Sequence, residues 1–202
     1  MYDQTEVKRI PPHEKLIAIV SAVTTFVVNS IEGLITAIAL SIILYLFFLT
    51  PHEVVGISMF PTYENSQQLL GNKILYRVSE PERGDVVVFK HSETEDYIKR
   101  VIAISGDSIL LRDGKFYLNG VLLDESAYLD PSIYTNKGSY LDEGEEIVIP
   151  EGMIFVCGDN RPKSYDSRFF GPIPVQDVKA KIWLRYYPFD KFTLIKDPDY
   201  QL

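Results

Sequence analysis

The chain has a single cysteine, Cys157, and only three histidines, His13, His52 and His91, in 202 residues. One cysteine excludes an intrachain disulfide and argues against a cysteine-rich zinc site. The histidines are scattered without ligand spacing and read as structural or solvated side chains. Neither a metal nor any other cofactor is expected. Basic residues are also scarce, with 20 Lys and Arg against 28 Asp and Glu, a formal net charge of −8. On that balance no broad face is strongly basic, which argues against general nucleic-acid or anionic-lipid binding.

What the sequence does have is one long apolar run. Gly33–Pro51, GLITAIALSIILYLFFLTP, carries no formal charge. With Ile31 it offers about 20 residues, enough to cross roughly 30 Å of hydrocarbon as a helix. Apolar side chains fill every face, unlike the one-sided stripe of a surface helix. The run starts far from Met1 and ends in FFLTPHEVV, with no small-residue cleavage pattern, so the anchor is expected to stay. Lys8, Arg9 and Lys15 precede it, whereas His52 and Glu53 follow. The positive-inside rule then puts the N-terminus in the cytoplasm and the rest beyond the membrane. Leu16–Val28 is short for a span, so residues 12–30 read as an interfacial or juxtamembrane segment rather than a second span, which would move the N-terminus to the far side. The expected division is a cytoplasmic and juxtamembrane segment over 1–30, a transmembrane helix over 31–50 and an extracytoplasmic β-rich domain over 51–202.

After Val54 the pattern changes. KILYRV (73–78), DVVVFK (85–90), YIKRVIAI (97–104), SILLR (108–112) and KFYLNGVLL (115–123) are rich in β-branched and aromatic residues and predict strands. Asn119-Gly120 predicts a two-residue hairpin. Residues 124–146 lose the period and gain acid, including Asp124, Glu125, Asp130 and Asp142, and read as a solvated excursion. Strands resume at EIVIP, GMIFVCGDN and KAKIWLRYYP. The fold class is mainly β: an N-terminal transmembrane helix followed by a largely antiparallel β-sheet domain.

Three places could carry chemistry. Ser58, in GISMFPT, is either a nucleophile or a turn residue ahead of a proline; serine needs a base to react. Lys99 is a candidate base if burial keeps it neutral, and otherwise half of a solvated Lys-Arg pair. Strand alternation sends Lys99 to one face with Tyr97 and Val101, and Arg100 to the other with Ile98 and Ile102. GDNRPKSYDSR (158–168) is a polar turn whose Asp/Arg density suits bidentate locking. Cys157, beside it, reads as a buried, inert thiol.

Taken together, SMFPT (58–62), RGDVVVF (83–89), YIKRVI with SGD (97–107) and GDNRPKSYDSRFFGPIP (158–174) stand in the order seen in bacterial type I signal peptidases. The likeness covers the anchor and nearly all of 51–188. The resemblance implies a membrane-bound serine endopeptidase with a Ser–Lys dyad, on largely antiparallel sheets. By it, Ser58 matches the nucleophile, Lys99 the general base and Ser164 the serine that orients the lysine. Asp159 with Arg100, and Asp166 with Arg168, match supporting ion pairs. Val54, Met59, Tyr63, Tyr97 and Ile98 match pocket positions for an extended substrate with small residues at the first and third places before the cut, Ala-X-Ala. Gly56, counted with that substrate-binding set, departs from one branch, where a serine hydroxyl donates to the oxyanion. This leaves the second donor unassigned. His52 likewise stands where an aromatic residue is common.

The expected partners are signal-peptide-bearing preproteins and the lipid bilayer, with no nucleic acid, and the expected state is monomeric. Two other readings stand beside this one. One is a dedicated processing peptidase with a narrower set of precursors; the other is a catalytically silent, membrane-tethered domain that binds extended peptides.

Overall fold

The computed structural model describes residues 11–198 and 200. It divides into two compact units, the first ending at Leu46 and the second starting at Phe47.

The first unit is built from one helix, α1, Pro12–Phe48, whose last two residues fall in the second unit. The helix runs without interruption through the boundary drawn above between residues 30 and 31. Asn29–Gly33 contains no proline, and one interior glycine costs only about 1 kcal/mol against alanine. Four of the hydroxyls along the helix are satisfied by the backbone. Thr24, Ser30, Thr36 and Ser41 each donate to the carbonyl four residues earlier, at 2.8–2.9 Å. The stretch His13–Ile43, 31 residues, contains an 18-residue segment of mean hydropathy 2.0 and is long and apolar enough to span a bilayer. The helix also stops earlier than expected. Leu49 and Thr50, assigned above to the span, pair with Asn72 and Gly71 as the start of the first strand.

The second unit contains twelve strands among the described residues: β1 Leu49–Glu53, β2 Gln68–Asn72, β3 Val86–Lys90, β4 Asp96–Ala103, β5 Ser108–Arg112, β6 Lys115–Leu118, β7 Val121–Leu122, β8 Glu146–Val148, β9 Met153–Cys157, β10 Ile173–Pro174, β11 Val178–Tyr187 and β12 Thr193–Leu194. Short helices α2, Leu75–Val78, and α3, Ser167–Phe170, interrupt them. Eight strands form one sheet in the order β1-β2-β11-β3-β4-β9-β10, with β12 on β11; β7-β6-β5-β8 form a second. Every pairing between these strands is antiparallel.

The sheets pack through Ile102, Phe155 and Cys157 of the larger one and Ile109, Leu111, Phe116 and Leu118 of the smaller one, all fully buried. A second core, with Val54, Met59, Tyr63, Leu69, Val86 and Ile182, lies under the segment that carries Ser58. Each such side chain contributes about 1.5–3 kcal/mol when fully buried. The hairpin at Asn119-Gly120 forms as expected, both residues having positive φ (52° and 80°).

KILYRV does not form the expected strand. Asn72 Oδ1 accepts the N–H groups of Ile74 and Leu75, at 2.9 and 3.2 Å, and turns the chain into α2. Glu125 departs from the solvated reading of its segment, because it is buried against Arg161. Trp183 lies half-buried on β11.

Candidate active site

Ser58 stands on a loop between β1 and β2 that has no ladder of its own. Tyr63 N–H closes a turn on Met59 O at 2.9 Å, and Phe60 N–H another on Ile57 O at 3.2 Å. The GDNR turn holds the loop from the side: Asn160 N–H donates to Ser58 O, 2.9 Å. Gly158 permits this approach. A Cβ there would lie 2.4 Å from Ser58 O and 2.3 Å from Ser164 Oγ, so no larger residue fits without a shift.

Lys99 comes from β4, whose register with β3 sets Lys99 opposite Val87 and Arg100 opposite Val86. The alternation separates the two cations as expected. Lys99 Nζ lies 2.8 Å from Ser58 Oγ and 3.2 Å from Ile98 O. The residue is only 4% exposed. Burial brings its pKa down to about 8, against the opposing pull of the Asp166 carboxylate. The Tyr97 ring, with its centroid 5.0 Å from Nζ, also favours the charged form.

On the other side of the strand, Arg100 grips Asp159 with two bonds, Nε to Oδ1 at 2.9 Å and Nη2 to Oδ2 at 2.7 Å. Asp159 Oδ2 also accepts from Thr62 Oγ1 at 2.6 Å, which ties the Ser58 loop to the same pair. Arg168 binds Asp166 with its Nε and Nη2, both at 2.8 Å. Burial alone would raise the Asp166 carboxyl, but Arg168 and the Gly158 N–H hold it below its usual range. Both ion pairs implied by the resemblance are therefore formed. The contact between Ser164 and Lys99 is not. Ser164 is buried, and its hydroxyl lies toward Asp166, whose carboxyl it helps to hold down, rather than on the lysine amine, which is turned to Ser58 and Ile98 O.

A cleft of about 230 Å³ opens over Ser58 and Lys99, lined also by Val54, Met59, Tyr97, Ile98 and Tyr165. Two of the residues matched to the pocket lie elsewhere. Tyr63 is 1% exposed in the core beneath and borders a separate cavity with Arg100 and Arg185. Gly56 is outside the cleft lining, its N–H bonded to Asn65 Oδ1 at 2.7 Å. Sequence reasoning missed Tyr165, although it directly follows Ser164. It also missed Arg161, which is fully buried, binds Gly158 O through Nε at 3.1 Å and pairs with Glu125. Cys157 lies buried beneath the turn, and burial pushes its thiol well above the usual range.

A serine hydroxyl against a buried lysine amine, beside a cleft with strand edges at its rim, is the equipment of an acyl-transfer hydrolase whose base is an amine rather than an imidazole. A family profile described as "Signal peptidase, peptidase S26" matches residues 27–187. The chain belongs to this family and is a serine endopeptidase.

Among its relatives, signal peptidase IB of Staphylococcus aureus (strain MRSA252) is 33% identical over 183 residues, covering 84% of this chain and 95% of the relative. Signal peptidase I of Bacillus caldolyticus is 38% identical over 161 residues, covering 74% and 86%. Thylakoidal processing peptidase 1 of Arabidopsis thaliana is 32% identical over 170 residues; the match takes in 78% of this chain and only 48% of that longer protein. A solved signal peptidase I from Enterococcus faecalis V583 aligns at 29% identity and a TM-score of 0.43, over 52% of this chain and 97% of the solved one.

Proposed function

We propose that this chain removes signal peptides from secreted preproteins after small residues, Ala-X-Ala, with Ser58 as nucleophile and Lys99 as general base. The observation that carries this reading is the 2.8 Å approach of Lys99 Nζ to Ser58 Oγ by a lysine whose pKa burial lowers to about 8. Neutral Lys99 takes the Ser58 proton, and the oxygen attacks the scissile carbonyl. Ser58 N–H, which has no acceptor among the described residues, faces the developing oxyanion. The protonated amine then gives its proton to the leaving nitrogen. A water deprotonated by the same lysine hydrolyses the acyl-enzyme. Ser164 is a buried neighbour whose hydroxyl turns to the lysine amine as the orienting group when substrate arrives.

The substrate lies as an extended strand between residues 52–57 and 95–98, with alternate side chains directed into the cleft over Val54, Met59 and Ile98. Its modest volume suits small side chains at those places. α1 crosses the membrane once, with the N-terminus cytoplasmic and the catalytic unit on the outer side, where exported precursors emerge. Both reactive residues come from one chain, which accords with a monomeric enzyme.

The test incubates the purified full chain in detergent with a precursor bearing Ala-X-Ala and maps the new N-terminus. Cleavage at that site, lost in both Ser58→Ala and Lys99→Ala, is the expected result. Retained cleavage by both variants would overturn the dyad. An inactive wild type in several detergents would favour a peptide-binding domain.

A further inference from the structure

Gly56 raises a question that the dyad does not answer. It lacks the side-chain donor that a serine would offer at this place, yet it is not there for want of space. A Cβ at Gly56 would meet nothing within 4 Å. What demands glycine is the backbone, at φ +96°, a conformation that side-chain-bearing residues rarely adopt. A glycine there is also free to leave that conformation unless something holds it.

Two asparagines hold the three residues Gly56, Ile57 and Ser58. From the GDNR turn, Asn160 donates its side-chain Nδ2 to Ile57 O at 2.9 Å and its backbone N–H to Ser58 O at 2.9 Å. From the far limb of the loop, Asn65 Oδ1 accepts Gly56 N–H at 2.7 Å, while its Nδ2 donates to Ser66 Oγ at 3.0 Å. That limb is itself fixed, since Ser66 N–H bonds Val54 O at 2.8 Å and Val54 N–H bonds Gln67 O at 2.9 Å. The Gly56 N–H is therefore occupied and is not itself a free oxyanion donor in this arrangement. Ser58 N–H is left without an acceptor, and its direction follows from the rotation of the two peptides before it.

We infer that Asn65 is a positioning residue for cleavage: by binding Gly56 N–H it fixes the left-handed glycine and so aims Ser58 N–H at the oxyanion of the tetrahedral intermediate. This rests on Ser58 being the nucleophile. Removing an oxyanion donor outright costs about 10²–10³ in rate, so misaiming one costs less, about tenfold. Asn65 and Gly56 are both exposed, so the substitution touches no core and leaves folding intact.

The experiment uses the full chain in detergent, with an Ala-X-Ala peptide substrate and the matching peptide aldehyde, which forms a hemiacetal with Ser58. Asn65→Ala should lower kcat about tenfold, with KM within twofold. It should weaken the aldehyde by a similar factor and speed hydrogen exchange at the Gly56 amide, all at unchanged Tm. An unchanged kcat, or a loss confined to KM, would overturn the proposal. So would a slower enzyme whose aldehyde affinity is intact. Failure of the underlying reading is visible separately, because Ser58→Ala would then still cleave.

Discussion

Lys99 is held at 4% exposure with two polar neighbours, and neither is a carboxylate in direct contact. The same burial that makes it a usable base makes it a burden on the fold. In the unfolded chain a lysine titrates near 10.4, whereas here burial brings it to about 8. Between those values the unfolded state binds more protons than the native one, so stability rises with pH through this window. The difference of roughly 2.5 pH units corresponds to about 3 kcal/mol, as an order of magnitude. Lys99→Met should therefore stabilise the protein at pH 7, by an amount that shrinks by about 3 kcal/mol as the pH rises from 8 to 10.5. Denaturant unfolding across that range checks it, and a pH-independent difference would show that Lys99 is not buried in this way. Activity follows the same proton. Below about pH 8, kcat/KM should fall about tenfold per pH unit, because only the neutral amine accepts the Ser58 proton. A profile flat down to pH 6 would exclude Lys99 as the base.

The segment between β7 and β8 shows what local pattern can and cannot reveal. Its acids read alike in the sequence, and Asp124 and Asp130 are indeed exposed. Glu125 is not. It receives both terminal nitrogens of Arg161, while Thr135 Oγ1 accepts a further bond from Nη1 at 3.1 Å. The excursion thus folds back to lock the GDNR turn from below, a long-range contact that no period of two or 3.6 encodes.

Removing the acid leaves a fully buried guanidinium without its counter-charge, which typically costs 3–5 kcal/mol. Glu125→Ala should lower unfolding stability by about that amount, whereas Asp124→Ala on the exposed neighbour should change it by less than about 0.5 kcal/mol. Equal small effects would show that the pair is not buried.

The strands β3, β4 and β5 and the Asn119-Gly120 hairpin were legible because β-branched alternation and turn chemistry agree there. KILYRV carries the same composition, but Asn72 caps two amides ahead of it and the chain turns helical. The site was legible in part. The nearness of Ser58 to Lys99 and the two ion pairs follow from motif order, whereas the bonds of Asn65 and Arg161 are contacts that only the folded loop displays.

At the scale of the whole molecule, the question is on which side of a bilayer the chemistry occurs. α1 is unbroken from Pro12 to Phe48, so among the described residues there is one crossing or none, and a crossing puts the two ends of the helix on opposite sides. At 1.5 Å per residue it extends about 55 Å, well beyond a hydrocarbon thickness of roughly 30 Å. Part of it must therefore stand in the interface or the water. The charges near its ends choose the orientation. Lys8, Arg9 and Lys15 lie at the N-terminal end and Glu53 follows the other, the asymmetry on which the proposed cytoplasmic N-terminus rests. The single cysteine makes this testable, because Cys157 is fully buried and should not react in the folded protein. A membrane-impermeant maleimide applied to intact cells should label Ser132→Cys, on the exposed excursion, and leave Gln4→Cys untouched until the membrane is opened. The opposite pattern would place the dyad in the cytoplasm, away from exported precursors. It would overturn the proposed function even if the purified enzyme cleaves Ala-X-Ala peptides.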